Sequence, residues 1–153
     1  MAVKVDNVYT ENLPALRFIG KRCLCDPNEF IARWDEWFRN GWFEQIQKLG
    51  VALENKDAYI GATNAKGDCY WIGMLFPPGT SVPDGFEVEE IPASKYAVFK
   101  LSGIDNGKLF GEEGIMLVFS EMDKRGMIKS ETGMDFELYN KDIVFSEFYI
   151  AIL

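Results

Sequence analysis

The chain contains no histidine. That absence removes Ser-His-Asp and Cys-His nucleophiles, the His-Glu-x-x-His metalloprotease and any imidazole acid or base, leaving carboxylates, tyrosine, lysine and cysteine to move protons. Cysteine is scarce as well: Cys23, Cys25 and Cys69 are an odd set with no Cys-x-x-Cys pair. Reduced, inert thiols fit that pattern better than a disulfide framework. A structural zinc would have only three thiols and carboxylates to use, so neither a metal nor another cofactor is expected. No stretch approaches the roughly 18 apolar residues of a membrane span. The N-terminal MAVKVDNVYTENL shows neither the basic region nor the apolar run of a secretion signal, so a cytoplasmic protein without membrane contact is expected. The chain also has no basic stripe: 16 Lys and Arg are scattered among 24 Asp and Glu, for a net charge of −8. Phosphate backbones would be repelled, which argues against direct nucleic-acid binding and makes a cationic ligand electrostatically easier.

What the chain does have is apolar surface. Hydrophobic residues make up 48% of its 153 positions and aromatics 14%, enough for one domain with a sizeable core. ALRFIGKRCLC, residues 15–25, reads as a strand. In the stretch that follows, Asp26, Pro27 and Glu29 form a capping-box start for a helix. Phe30, Trp34, Trp37 and Phe38 then recur at the spacing of one helix face. Gly41 interrupts the helix before Trp42, Phe43, Ile46 and Leu49 resume the pattern, and Gly50 supplies a stop. DAYIGAT and CYWIGMLF, separated by NAKGD, predict a hairpin.

After the loop PPGTSVPDG, FEVEEIPA and KYAVFKLSG read as strands, residues 107–126 as a second helix with Gly126 near its end, and MDFELYN with VFSEFYIAIL as a second hairpin. The order strand, helix, hairpin thus occurs twice, with a displacement of about 77 residues. The pattern predicts a single α+β domain over 1–153 built from duplicated βαββ units, about 15–76 and 86–153, with an antiparallel sheet, two main helices and a ligand cleft where the halves join.

A carboxylate inside an otherwise apolar strand asks for a partner, because an unpaired buried charge is costly. Glu147 is such a residue: strand alternation puts it on one face with Tyr149, and Glu137 shares a face with Tyr139 in the preceding strand. If those strands pair, two carboxylates and two tyrosines converge on one surface. They would then either lie on a solvent face paired with a lysine such as Lys141, or form an aromatic cage that attracts a cation through charge and ring faces together. The Trp34, Trp37 and Trp42 stripe is open between core filling and a cleft wall, and so is Trp71, which shares its face with Cys69, Gly73 and Leu75. Of the neighbours Tyr70 and Trp71, alternation puts only one inside.

Across residues 77–103 the chain resembles the GyrI-like small-molecule-binding domain family, whose members carry a "vP.gf....iP.g.ya.f...G" run. Val82, Pro83, Gly85, Phe86, Ile91, Pro92, Tyr96, Ala97, Phe99 and Gly103 fall on it, while YWIGMLF, FELY and EFYI resemble the flanking strands. The resemblance implies a duplicated βαββ fold whose central cleft takes hydrophobic, often cationic compounds, as in effector domains of multidrug-sensing transcription regulators. It implies Glu147 and Tyr149 as the first ligand-binding pair and Glu137 and Tyr139 as the next, with Trp71, Trp37 and Tyr96 as further candidates. Ala151 stands where many relatives carry proline, and Ser94 where they carry glycine. The helix-turn-helix that regulators append is not in this sequence.

Three functions follow as expectations. The first is a stand-alone binding module for sensing or sequestration. The second is a hydrolase of reactive toxins, as some relatives are, with Glu147 as general base. The third is an inhibitor that binds a DNA-handling or regulatory protein partner through its acidic surface.

Overall fold

In the computed structural model, the described residues are 4–23, 30–49, 59–64, 69–102, 112–139 and 145–153. They form eight strands: β1 (Lys4–Leu13), β2 (Leu16–Cys23), β3 (Tyr59–Asn64), β4 (Tyr70–Phe76), β5 (Glu87–Ile91), β6 (Ser94–Ser102), β7 (Met134–Tyr139) and β8 (Phe145–Ile152). Three helices accompany them: α1 (Phe30–Arg39), α2 (Trp42–Gln47) and α3 (Glu112–Lys124). The fold is α+β, as the sequence predicts. All strands join one antiparallel sheet in the order β1-β6-β8-β7-β3-β4-β2-β5.

That order is symmetric about the β7–β3 contact. On one side stand β7, β8 and β6, and on the other β3, β4 and β2, each trio being the strands of one βαββ run. The outermost strands are exchanged. β1 runs directly into β2 yet pairs with β6, and β5 runs directly into β6 yet pairs with β2. In a flat sheet at about 4.8 Å per strand, β1 and β2 would stand roughly 29 Å apart. Only Pro14 and Ala15 connect them, and three Cα steps reach about 11 Å at most. The same holds for β5 and β6, which are joined by Pro92 and Ala93. The sheet therefore curls until the end of β1 comes near the start of β2 and the end of β5 near the start of β6.

Curling explains the two cores. One lies between the sheet and the helices and contains Trp34, Trp37, Phe43, Ile46, Val118 and Met122 with strand residues such as Ile72, Phe99 and Ile150. The other contains no helical residue among those described; Phe18, Trp71, Tyr96, Phe136 and Tyr149 fill the inside of the curl. Because both faces of β4 are covered, Tyr70 and Trp71 are both buried, at 2% and 7% exposure. This corrects the expectation that only one of them would be inside.

Local signals are realised where they can be seen. Gly41 adopts φ 66 between α1 and α2, a left-handed conformation that breaks the helix cheaply only at glycine. Gly126 adopts φ 67 after α3. There Met127 N–H donates to Met122 O (2.9 Å) and Gly126 N–H to Asp123 O (3.2 Å), the paired bonds of a Schellman stop. The capping box at Asp26, Pro27 and Glu29, the stop at Gly50, Cys25 and Lys141 lie outside the described residues. β1, which the sequence reading did not identify, is a polar edge strand with a register shift between Val5 and Asn7. No helix among the described residues is long and apolar enough to cross a membrane.

Candidate functional site

Glu137 lies in the middle of β7, with Gly61 of β3 opposite on one side and Phe148 of β8 on the other. Strand alternation turns Asp135, Glu137 and Tyr139 toward the helices, and Met134, Phe136 and Leu138 into the curl. At 9% exposure the Glu137 carboxylate is buried. Two phenols satisfy it: Tyr139 donates to Oε2 at 2.9 Å and Tyr70, from β4, donates to the same oxygen at 3.3 Å. Trp34, reaching down from α1, donates its indole N–H to the Tyr70 oxygen at 3.0 Å. The same indole meets Tyr139 edge-on at 4.7 Å. A directional chain of donors thus ends on one carboxylate.

Gly61 makes room for this arrangement. A Cβ there would collide with the Tyr70 hydroxyl and lie 3.0 Å from Glu137 Oε2. Burial lifts the Glu137 carboxyl from 4.5 to about 7, against the pull of the hydrogen bonds from Tyr139 and Tyr70. Burial, with Glu137 beside them, pushes both phenols up, so they remain donors at neutral pH. Among the described residues, no cation contributes to the environment of Glu137, and no group of three His, Cys, Asp or Glu side chains could hold a metal ion.

Glu147 is placed differently. The β7–β8 register sets Leu138 opposite Glu147 and Phe136 opposite Tyr149, so an odd residue of one strand faces an even residue of the other. The two Glu-x-Tyr pairs therefore point to opposite faces and do not converge. Parity of the hairpin decided this, and it cannot be read from either strand alone. Glu147 Oε1 is 3.8 Å from Lys100 of the neighbouring β6. Tyr149 donates to Glu11 of β1 at 3.1 Å. Its ring lies 6.0 Å from Tyr96, which is 5.7 Å from Phe136. Glu147, Tyr149, Tyr96 and Trp71 thus belong to the inside of the curl, and Glu137 and Tyr139 to the helix side.

Trp37, one turn along α1 from Trp34, is 1% exposed and packs on Phe43 (4.6 Å), Trp42 (5.5 Å) and Phe86 (6.0 Å). The sequence reading did not single out Tyr70 or Gly61 as site residues. Their signal was present in DAYIGAT and CYWIGMLF as a small residue and a phenol in one predicted hairpin. It gains meaning only once β3 is known to pair with β7.

Residues 16–152 match the family model named Cass2, integron-associated effector binding protein. Comparison with curated proteins gives no match. Among solved structures, the protein SAV2435 bound to tetraphenylphosphonium is similar with a TM-score of 0.71 at 15% identity, over 96% of this chain and 94% of that one. An integron cassette protein from the mobile metagenome of Vibrio cholerae gives a TM-score of 0.55 at 16% identity, over 99% of both chains. A protein described as a hydrolase from Listeria innocua gives 0.56 at 9% identity, over 95% of this chain and 91% of that one. At these identities the structural likenesses establish the fold.

Proposed function

The chain belongs to the Cass2 family of integron-associated effector binding proteins, and from that premise we propose that it binds a small hydrophobic cation at Glu137, in sensing or sequestration. The observation that carries this reading is a desolvated carboxylate with three aromatic side chains about it and no cation in its environment among the described residues. A ligand cation supplies the missing opposite charge. The faces of Trp34, Tyr70 and Tyr139 each add about 0.5–2 kcal/mol where they are brought over it. Because Glu137 is 9% exposed, entry of a bulky cation requires the aromatic wall of α1 to shift. The fold likeness to a protein solved with tetraphenylphosphonium supports the ligand class.

The test is a titration with tetraphenylphosphonium followed by tryptophan fluorescence. Saturable binding is expected, weakened about tenfold or more by Glu137→Gln, which keeps the shape and removes the charge. Glu147→Gln, whose carboxylate already has Lys100 beside it, is expected to change the affinity less than about twofold. A larger loss in Glu147→Gln than in Glu137→Gln would move the site to the inside of the curl, beside Tyr149, Tyr96 and Trp71.

A second reading is favoured by the same carboxyl being poised near neutrality. Glu137 at about 7 has the basicity of a general base for water attack on an electrophilic substrate, with the two phenols orienting it. Turnover of a strained electrophile that disappears in Glu137→Gln while binding persists would favour hydrolysis over simple capture.

A further inference from the structure

A cavity opens beside α1, between that helix, the end of β2 and α2. It has a volume of about 290 Å³, and its walls include the indoles of Trp37 and Trp42. These stand at 83° to each other with centroids 5.5 Å apart, so they form two sides of a corner. Among the described residues, Lys21, Arg22 and Arg33 line the cavity with Glu36 as the one carboxylate, an excess of two positive charges among those side chains in a chain whose net charge is −8.

The cations are held in place. Lys21 Nζ sits 4.0 Å over the Trp42 ring and 4.8 Å over Phe86, and donates to Gly85 O at 2.9 Å. Arg33 is fixed by Glu36 at 2.6 Å, so that carboxylate is already paired. Arg22 donates to the Cys69 sulfur at 3.1 Å. An ammonium clamped between two rings loses little further freedom on meeting an anion, so its contribution to binding is not spent on ordering.

We propose that this cavity is a ligand site for a planar aromatic monoanion, an aryl carboxylate or sulfonate, whose ring packs on the partly buried Trp42, with buried Trp37 as the back of the site, and whose charge meets Lys21 and Arg22. The volume lies at the lower end of ligand cavities, which run from about 300 to 1,000 Å³. It suits a bicyclic ring and excludes four phenyl groups around a centre. One helix then serves two ligands of opposite charge, Trp34 facing the Glu137 carboxylate and Trp37 the basic corner.

The experiment titrates the full chain with 1-naphthalenesulfonate, with naphthalene-1-methanol as the neutral counterpart, by tryptophan fluorescence and calorimetry. Saturable one-to-one binding of the sulfonate is expected, at least about tenfold tighter than the alcohol and weakened on raising the salt concentration. Lys21→Met, which keeps an apolar stem against Trp42, should weaken it about tenfold. Glu36→Gln should tighten it by removing the carboxylate that pairs with Arg33, a gain that misfolding cannot imitate. Tetraphenylphosphonium affinity should stay within about twofold in both variants. Equal binding of the alcohol, absence of saturation, or a sulfonate affinity indifferent to both Lys21→Met and Glu36→Gln would overturn the assignment.

Discussion

Glu137 shows how one residue couples stability to pH. Its carboxyl stands at about 7 in the folded chain and near its ordinary value of 4.5 when unfolded. Between those values the folded chain holds a proton that the unfolded chain has released. Stability therefore falls as pH rises from about 4.5 to about 7 and levels above that range. Glu137→Gln has no such proton, so its stability relative to wild type should be higher at pH 8 than at pH 4.5, measured by denaturant unfolding at both. Ligand binding follows the opposite sign. A cation favours the ionised carboxylate, so tetraphenylphosphonium should bind more tightly as pH rises toward 7 and release a proton below it. Gly61 gives the second prediction at this scale. Gly61→Ala drives a methyl into the Tyr70 hydroxyl beside Glu137, and overpacking of this kind costs about 1–3 kcal/mol. Thermal unfolding should record that loss, and a titration should show weakened cation binding.

Among the elements, the segment that follows α3 is fastened to the sheet by an ion pair with one buried partner. Lys129, in the segment between α3 and β7, forms an isolated bridge with Ile152 and places its ammonium 3.0 Å from Asp135 of β7. Asp135, only 5% exposed, also accepts the Ala151 N–H of β8 at 3.1 Å. Burial pushes its carboxyl up while Lys129 and the backbone bond pull it down. Asp135→Ala leaves an amide and an ammonium without that acceptor and should cost about 2–4 kcal/mol. Asp135→Asn, which still accepts from Ala151, should recover part of that loss in the same unfolding measurement. The helix break at Gly41 acts at the same scale. It redirects the chain so that Trp42 meets Trp37 edge-on and Lys21 face-on, which an unbroken helix would not do.

For the whole molecule, the exchanged strands make the two halves interdependent. β1 covers β6 and β5 covers β2, so a chain cut in the loop after β4 leaves each half with an uncovered edge and half of the inner core. Residues 1–84 and 85–153 expressed apart should each fail to show a cooperative unfolding transition. Mixed, they should recover one, together with near-UV signals from the buried tryptophans. Independent folding of either fragment would show that the curl is not needed for stability. The outer edge strand β5 carries exposed Glu87 and Glu89, with Glu90 paired to Arg17 of β2, and such charges discourage sheet extension by another copy.

Much of this was legible in the sequence because its causes are local. Apolar spacing located α1 with Trp34 and Trp37 inward, alternation located the strands from β2 to β8, and glycines marked the breaks at Gly41 and Gly126. β1 escaped because an edge strand with a register shift need not alternate, so its polar residues gave no period. The sequence by itself determined the class of fold, the lack of imidazole chemistry and the presence of two glutamates inside apolar strands. Only the tertiary structure decided which glutamate became desolvated among phenols and which met a lysine. That choice rests on the parity of one hairpin and on a β3–β7 pairing between distant segments, and neither leaves a trace in the composition of the strands it joins.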